Sequence, residues 1–272
     1  NFIESFAYRF PTLVMCDMLG LEENEFSDEL LLQLNQAIAD TFPVFETRAL
    51  SDDELALANQ QMEFLTAFFD DLFARRRLNP RDDLSTALAM ANEGGNSLSP
   101  EELSTSVIGL FGAGFETTAH MIGNGLYLLG AHPDERAKLG VDLSLASAAT
   151  EEITRFESSL QATYRTALSD TMVGGQPVKK GERILTIVAA ANRDAAVFKQ
   201  PEAFVIDARQ EKPLTFGGGI HYCVGAELAR LEGRVFLEEL FSTYPNFEVD
   251  TESARLRQAF LFRGFEYLGV TL

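Results

Sequence analysis

The chain has 272 residues, of which 46% are hydrophobic and 22 are phenylalanines, enough apolar material for a sizeable core. Its 22 basic and 41 acidic residues give a net charge of −19, which disfavours nucleic acids and anionic lipids as partners. The two cysteines do not make a disulfide framework, and no uninterrupted apolar run of about eighteen residues predicts a membrane span. We therefore expect a cytoplasmic protein.

The first part of the chain, residues 1–155, carries helical periodicity. Helices are predicted over residues 2–19 and 27–40. Another is predicted to begin after Ser51, because serine at the N-cap and Glu54 three residues later form a capping box. It runs to three consecutive arginines, which suit the negative end of a helix.

A much longer helix is predicted over about residues 99–131. Ser99 at the N-cap, Pro100 at the first helical position and Glu102 at the third form its start. Pro133 ends the pattern, because proline cannot continue a helix. About thirty residues correspond to roughly 45–50 Å, far longer than a typical globular helix.

The middle of this helix has an unusual composition, Ala-Gly-Phe-Glu-Thr-Thr at residues 113–118. Glycines at 109, 112 and 114 each weaken a helix by roughly 1 kcal/mol relative to alanine. They indicate either the close approach of a flat ligand or a local distortion. Thr117 and Thr118 can hydrogen-bond backward to a carbonyl and bend the helix. By themselves these residues also fit a core helix with tolerated glycines.

The remaining residues, 156–272, are predicted to contain short strands. These lie at residues 166–168 and 171–173, at 183–188, which looks like a buried strand, and in a terminal hairpin within 247–272. The predicted fold class is therefore mainly α with small β-sheets. Just before this part, Glu152 and Arg155 are three residues apart on a helix, a spacing that usually gives a weak surface pair.

A glycine-rich loop at residues 216–225 leads directly into a helix and contains Cys223. Its glycines permit unusual backbone angles and the close approach of a ligand. The positive end of the following helix favours a thiolate at Cys223. Taken alone, the loop leaves an iron ligand, a catalytic nucleophile and a structural turn open. Cys16, inside an apolar run, is predicted to be a buried hydrophobic residue.

The spacing Phe216-x-x-Gly219-x-x-x-Cys223-x-Gly225 resembles the heme-binding signature of the bacterial-type cytochrome P450 family, the heme-thiolate monooxygenases. The resemblance covers nearly the whole chain. It implies a single cytochrome P450 domain over residues 1–272, with a long central helix and a cysteine-ligand loop. It also implies that the family's N-terminal portion is absent, since the sequence begins inside the family's pattern.

The resemblance assigns candidate site residues. Cys223 would be the axial ligand of the heme iron, in a loop shaped by Phe216, Gly217, Gly219 and Gly225. His221 and Arg165 would bind the heme propionates. The resemblance makes Ala113 and Gly114 cofactor contacts and Glu116 and Thr117 the proton-delivery pair. It also implies a buried structural network of Glu152, Arg155 and Arg209.

The function implied by the resemblance is insertion of one oxygen atom of O2 into an apolar small molecule, by hydroxylation or epoxidation, in a pathway of secondary metabolism. The implied cofactor is heme b, with electrons from NAD(P)H delivered by a ferredoxin-type or flavin redox partner. The alternatives are an inactive or heme-free homologue acting as a partner or activator protein, and a truncated fragment without activity. A peroxide-using heme enzyme would be favoured only if Glu116 and Thr117 were replaced.

Overall fold

The computed structural model describes residues 1–21, 27–46, 48–91, 97–208 and 211–272. Within these ranges the chain is mainly helical, with three two-stranded sheets, so the predicted fold class is confirmed. The chain divides into two compact units: Phe2–Ala119, and His120–Leu272 together with Asn1. No helix in the described ranges combines the length and apolar character that a membrane crossing requires.

The N-terminal unit is built from helices. They are a short π-helical turn Ile3–Ala7, α1 Arg9–Met18, α2 Asp28–Thr41 followed by a 3-10 turn Phe42–Phe45, α3 Asp52–Leu78, α4 Leu84–Ala89 and the first part of α5 Pro100–Ala131. The capping box of α3 is confirmed: the Glu54 N–H donates to Ser51 Oγ at 3.2 Å, and the Ser51 N–H donates to Glu54 Oε2 at 2.8 Å.

Aromatic rings and a buried thiol fill the core of this unit. The ring of Phe111 lies 5.7 Å from that of Phe69 and 5.4 Å from that of Phe115, all three fully buried. Cys16 lies in the same core, as predicted, and burial raises the pKa of its thiol to about 12. Cys16 is therefore a packing residue and not a reactive one.

Helix α5 has the predicted length and start. Its 32 residues correspond to about 48 Å. The N–H of Glu102 donates to Ser99 Oγ at 3.1 Å, and the N–H of Ser99 donates to Glu102 Oε2 at 2.8 Å. The helix ends at Ala131, immediately before the His132–Pro133 junction, where proline begins the next helix.

The C-terminal unit combines helices and sheets. Its helices are the end of α5, α6 Pro133–Val141, α7 Ala146–Phe156, α8 Val188–Ala191 and α9 Ala226–Thr243. Helix α9 packs closely on α7, because a Cβ at Gly233 would lie only 2.6 Å from Thr150 Cγ2. This packing brings the start of α9, where the predicted cysteine loop ends, against α7.

The three sheets are antiparallel pairs. They are β1 Ala162–Thr166 with β4 Arg183–Ile187, β2 Thr171–Val173 with β3 Gln176–Val178, and β5 Glu248–Leu256 with β6 Phe265–Thr271, which confirms the terminal hairpin.

One predicted strand was wrong in position, and another was confirmed as a strand but wrong in its burial. The strand predicted at 166–168 lies earlier, at Ala162–Thr166, because the chain turns at 168–170. The strand predicted to be buried at 183–188 is β4, and four of its five residues are exposed. The reason is that β4 pairs only with β1, and no further layer covers it among the described residues.

Candidate functional site

The cysteine loop, residues 216–225, is closed by its own backbone. The Cys223 N–H donates to the Phe216 carbonyl at 2.9 Å, and the Tyr222 N–H donates to the Gly219 carbonyl at 3.1 Å. Gly217 and Gly219 have φ angles of 72° and 65°, in the left-handed region that favours glycine. The loop therefore needs these glycines for its own geometry, before any ligand is considered.

One side of the cysteine loop is open and apolar. Cys223 is exposed, and its neighbours Ile220 and Val224 are 97% and 88% exposed. A Cβ added at Gly218 or at Gly225 would meet none of the described residues within 4 Å. Exposed aliphatic side chains grouped around a thiol indicate a site for an apolar ligand. A flat apolar ring carrying a metal that accepts a thiolate fits these residues.

An arginine that the sequence analysis missed contacts both ends of this loop. Arg230 on α9 places its guanidinium carbon 4.4 Å from the centre of the Phe216 ring, and its Nη1 donates to the Tyr222 hydroxyl at 3.0 Å. Its Nε pairs with Glu151 on α7. The sequence signal that could have indicated Arg230 is its position in the helix that follows the loop, seven residues after Cys223.

A buried amide holds the segment before the loop. The Leu214 N–H donates to Asn192 Oδ1 at 2.7 Å, and Asn192 Nδ2 donates to the hydroxyls of Ser158 and Thr215, each at 2.9 Å. Thr215 in turn donates to the Thr154 carbonyl at 2.7 Å. Asn192 is fully buried, so these contacts fix the entry to the cysteine loop on the end of α7.

The predicted propionate-binding residues both lie in the C-terminal unit. His221 is exposed and closes the 3-10 turn Gly219–His221, two residues before Cys223. Arg165 is exposed on β1, and its Nη1 donates to the Tyr164 carbonyl at 2.7 Å. Because a guanidinium has five N–H groups, Arg165 retains donors for an anion. The roles of both residues stay predictions.

The predicted proton-delivery pair lies on α5, in the N-terminal unit. Thr117 donates its hydroxyl to the Ala113 carbonyl at 2.7 Å, and Thr118 donates to the Gly114 carbonyl at 3.0 Å. Two such bonds in adjacent positions favour a bend of the helix. Glu116 is fully buried, whereas Thr117 is partly exposed.

One face of α5 in this region is open. Gly109 and Ala113 are exposed and Thr117 is partly exposed; their spacing of four residues places them on one side of the helix. Gly114 has a second reason to be small, because a Cβ there would lie 2.4 Å from Met15 Sδ. The predicted approach of a ligand is therefore not needed to explain Gly114. At Gly109, by contrast, no atom in the described part of the chain lies within 4 Å of an added Cβ.

The charged pair on α7 is buried, as the family resemblance implies and unlike the surface pair that its spacing alone usually gives. Arg155 and Glu152 have 1% and 4% exposed side chains. All five N–H groups of Arg155 have acceptors: the two carboxylate oxygens of Glu152 at 2.7 and 2.8 Å and the carbonyls of Asn192, Pro201 and Ala203 at 3.0, 3.0 and 2.8 Å. Arg209, the predicted third member, lies outside the described residues.

Comparison with known proteins identifies the family of this chain. The sequence model of the cytochrome P450 family matches residues 24–144 and 141–260. The vitamin D(3) 25-hydroxylase of Pseudonocardia autotrophica is 35% identical over 276 residues, and the 6-deoxyerythronolide B hydroxylase of Saccharopolyspora erythraea is 32% identical over 281 residues. Each alignment covers 100% of this chain and 65% of the relative, so the chain spans about two thirds of their length.

A solved structure is similar as well. The crystal structure of P450BioI in complex with an acyl carrier protein ligated to hexadec-9Z-enoic acid has a TM-score of 0.91 and 32% sequence identity. The match covers 100% of this chain and 68% of that one. The family model and the relatives together cover the cysteine loop and the long helix. This chain belongs to the cytochrome P450 family.

Proposed function

We propose that this chain forms the heme-thiolate part of a monooxygenase that inserts one oxygen atom of O2 into an apolar small molecule. The proposal rests on the exposure of Cys223 beside the exposed side chains of Ile220 and Val224. The loop that carries them is closed by its own backbone hydrogen bonds. Cytochrome P450 proteins use heme b, with electrons from NAD(P)H delivered by redox partners. A thiolate-ligated heme, when bound, supplies dioxygen activation.

The cysteine loop provides the groups that would hold heme. Cys223 would donate its thiolate to the iron, and Gly217, Gly219 and Gly225 would let the backbone approach the porphyrin. Phe216 would support the loop through its contact with Arg230. His221 and Arg165 would donate to the propionates, since both are exposed and carry N–H donors.

Residues of α5 are proposed to deliver protons to the reaction site. Thr117 donates its hydroxyl hydrogen to the Ala113 carbonyl, and a hydroxyl oxygen can also accept a hydrogen bond, in this proposal from a ligand or water. Glu116 would serve as the buried acid next to it in sequence. Ala113 and Gly114 remain proposed cofactor contacts; Ala113 is exposed on the open face of the helix, whereas Gly114 is half-buried beside Met15.

The substrate is proposed to be an apolar organic molecule that undergoes hydroxylation or epoxidation in secondary metabolism. Supporting this class, two relatives are named as hydroxylases of vitamin D(3) and of 6-deoxyerythronolide B. The electron donor is proposed to be a ferredoxin-type or flavin protein. A cytoplasmic location is proposed from the composition, because the two cysteines do not form a disulfide framework.

The alternative of an inactive or heme-free partner protein has less support. The exposed thiol, Glu116 and Thr117 are all present, and the relatives reported above are named as hydroxylases. The presence of Glu116 and Thr117 also disfavours a peroxide-using enzyme, in which this acid–alcohol pair would be replaced.

The proposal is tested by reconstituting the purified chain with heme, reducing it and adding carbon monoxide. We expect the strongly red-shifted Soret band of a thiolate-ligated ferrous–CO heme. Cys223→Ser should abolish this band, whereas Cys16→Ala should keep it, because Cys16 is buried in the core of the N-terminal unit. A wild-type chain that takes up no heme, or an unchanged band in Cys223→Ser, would overturn the assignment.

A further inference from the structure

We propose that Arg230 is a positioning residue for Cys223. It ties both arms of the cysteine loop to helices α7 and α9, so that the thiol is held in one geometry before any cofactor is bound. The proposal deepens the proposed function and rests on Cys223 as the heme ligand. Arg230 itself is not expected to touch the cofactor.

The guanidinium of Arg230 contacts the two arms of the loop in two different ways. On the first arm it stacks over the Phe216 ring at 4.4 Å. On the second arm its Nη1 donates to the Tyr222 hydroxyl at 3.0 Å. Phe216 accepts the backbone hydrogen bond that closes the loop, and Tyr222 directly precedes Cys223. Arg230 therefore holds the residues on either side of the closing bond.

The same guanidinium is anchored to two helices. Its Nε pairs with Glu151 on α7, and its Nη1 donates to Glu227 on α9 at 2.8 Å. Glu151 is the residue next to Glu152, which is held by the buried pair with Arg155. Through Glu151 the loop is linked to the most rigidly bonded part of α7. The side chains of Arg230 and Glu151 are 21% and 37% exposed, so solvent screens their pair incompletely, whereas Glu227 is 86% exposed and its pair is screened more strongly.

The cysteine loop has little else to hold its outer part. Ile220 and Val224 are almost fully exposed and contribute little packing. The glycines of the loop add conformational entropy that folding must overcome. The contacts of Arg230 with Phe216 and Tyr222, which we call the clamp, therefore reduce the number of loop conformers that compete with the one that presents the thiol. This pre-organisation should appear as tighter cofactor binding and as persistence of thiolate ligation.

The chemistry of the clamp requires arginine. A guanidinium is planar and can stack on a ring while it donates in several directions. A lysine at the same position retains the positive charge but cannot do both. Arg234, one turn later on α9, provides a matched control, since it makes a half-exposed pair with Glu238 on its own helix at 2.7 Å.

The first test uses the heme-free chain and hydrogen exchange followed by mass spectrometry. We expect Arg230→Lys to speed exchange in peptides covering residues 216–225 by about tenfold, the factor expected when a charge-assisted contact worth about 1.4 kcal/mol is lost. Peptides covering α3 should be unchanged in Arg230→Lys, and Arg234→Lys should leave the loop at the wild-type rate. Unchanged exchange of the loop in Arg230→Lys would overturn the proposal.

The second test uses the heme-loaded chain. Arg230→Lys should release heme about tenfold faster and lose the red-shifted ferrous–CO band faster than Arg234→Lys. Should Arg230→Lys fail to fold, Tyr222→Phe removes one contact while leaving the ion pair with Glu151, and faster loop exchange is expected in that variant too. Wild-type exchange in a folded Tyr222→Phe would then count against the clamp. Failure of the wild-type chain to show a thiolate band would contradict the proposed function, while the exchange rates would still decide the role of Arg230.

Discussion

The guanidinium of Arg155 is bound to the carboxylate of Glu152 by two parallel hydrogen bonds, Nε to Oε2 at 2.7 Å and Nη2 to Oε1 at 2.8 Å. Glu152 Oε1 also accepts the backbone N–H of Val205 at 3.0 Å. Burying two charges is costly unless their remaining donors and acceptors are bonded. The surrounding carbonyls meet that condition for Arg155, so the pair joins α7 to residues 192–205.

Glu152→Gln should destabilise the C-terminal unit by about 3–5 kcal/mol, because it leaves the buried guanidinium without a counter-charge. The control is Glu238→Gln, which breaks a half-exposed pair with Arg234 and should cost only about 0–1 kcal/mol. Urea denaturation followed by circular dichroism measures both changes. Similar losses for the two variants would show that burial of the Arg155–Glu152 pair is not what makes it important.

Thr117→Ala should keep heme bound and divert electrons to hydrogen peroxide, because the proposed proton-delivery hydroxyl is removed. Product formed per NADPH should fall by at least about tenfold. Peroxide per NADPH consumed is measured with a surrogate ferredoxin and reductase, in the presence of a small molecule that perturbs the heme spectrum. Thr117→Ser keeps the hydroxyl and should stay close to wild type. Equal peroxide yields in wild type and Thr117→Ala would contradict the proposed role.

Glu232 should make the stability of the chain depend on pH. It is buried on α9, its Oε2 has no hydrogen-bond partner among the described residues, and burial raises the pKa of its carboxyl to about 7 from 4.5. The folded state therefore binds the proton more tightly than the unfolded state. The resulting stabilisation is complete below pH 4.5 and is lost as the pH rises to about 7, an effect on the order of 3 kcal/mol.

The urea midpoint measured from pH 4.5 to 8 tests this dependence. Glu232→Gln mimics the protonated acid, so its midpoint should fall less with pH than that of the wild type. Glu238→Gln, on the same helix but half-exposed, should run parallel to the wild type. If Glu232→Gln also ran parallel to the wild type, ionisation of Glu232 would not be the source of the slope.

Two glycine-to-alanine changes inside helices should have opposite effects. Gly109→Ala should stabilise the chain by about 1 kcal/mol, because alanine favours helix and its Cβ would have no described neighbour within 4 Å. Gly233→Ala should destabilise by about 1–3 kcal/mol, because its Cβ would lie 2.6 Å from Thr150 Cγ2, part of a stiff β-branched side chain. Thermal melts measure both. A stabilising Gly233→Ala would show that α7 and α9 pack less tightly than described.

Local signals predicted local structure well. The capping boxes at Ser51 and Ser99 depend on residues three apart, and both helix starts were confirmed. Burial of the β4 strand was predicted wrongly, because an apolar run indicates a strand but not what covers it. The exposure of α5 at Ala113 could not be predicted either, because its sequence fits both a ligand-facing helix and a core helix with tolerated glycines.

The candidate site shows the same division. The spacing around Cys223 lies within ten residues and could be recognised in the sequence. The contacts that hold this loop could not, because Arg230 meets Glu151 across 79 residues and Asn192 meets Ser158 across 34. No local sequence pattern around Arg230 or Asn192 indicates a partner so far away along the chain.

The sequence by itself determined the family, the fold class, the long helix and the cysteine of the loop, because each is indicated by residues that lie close together along the chain. Only the tertiary structure decided which carbonyls saturate the Arg155 guanidinium and that Gly114 lies against the side chain of Met15. It also decided that Arg230 spans the base of the cysteine loop. The physical reason is that burial, close packing and the saturation of donors depend on neighbours brought together by folding.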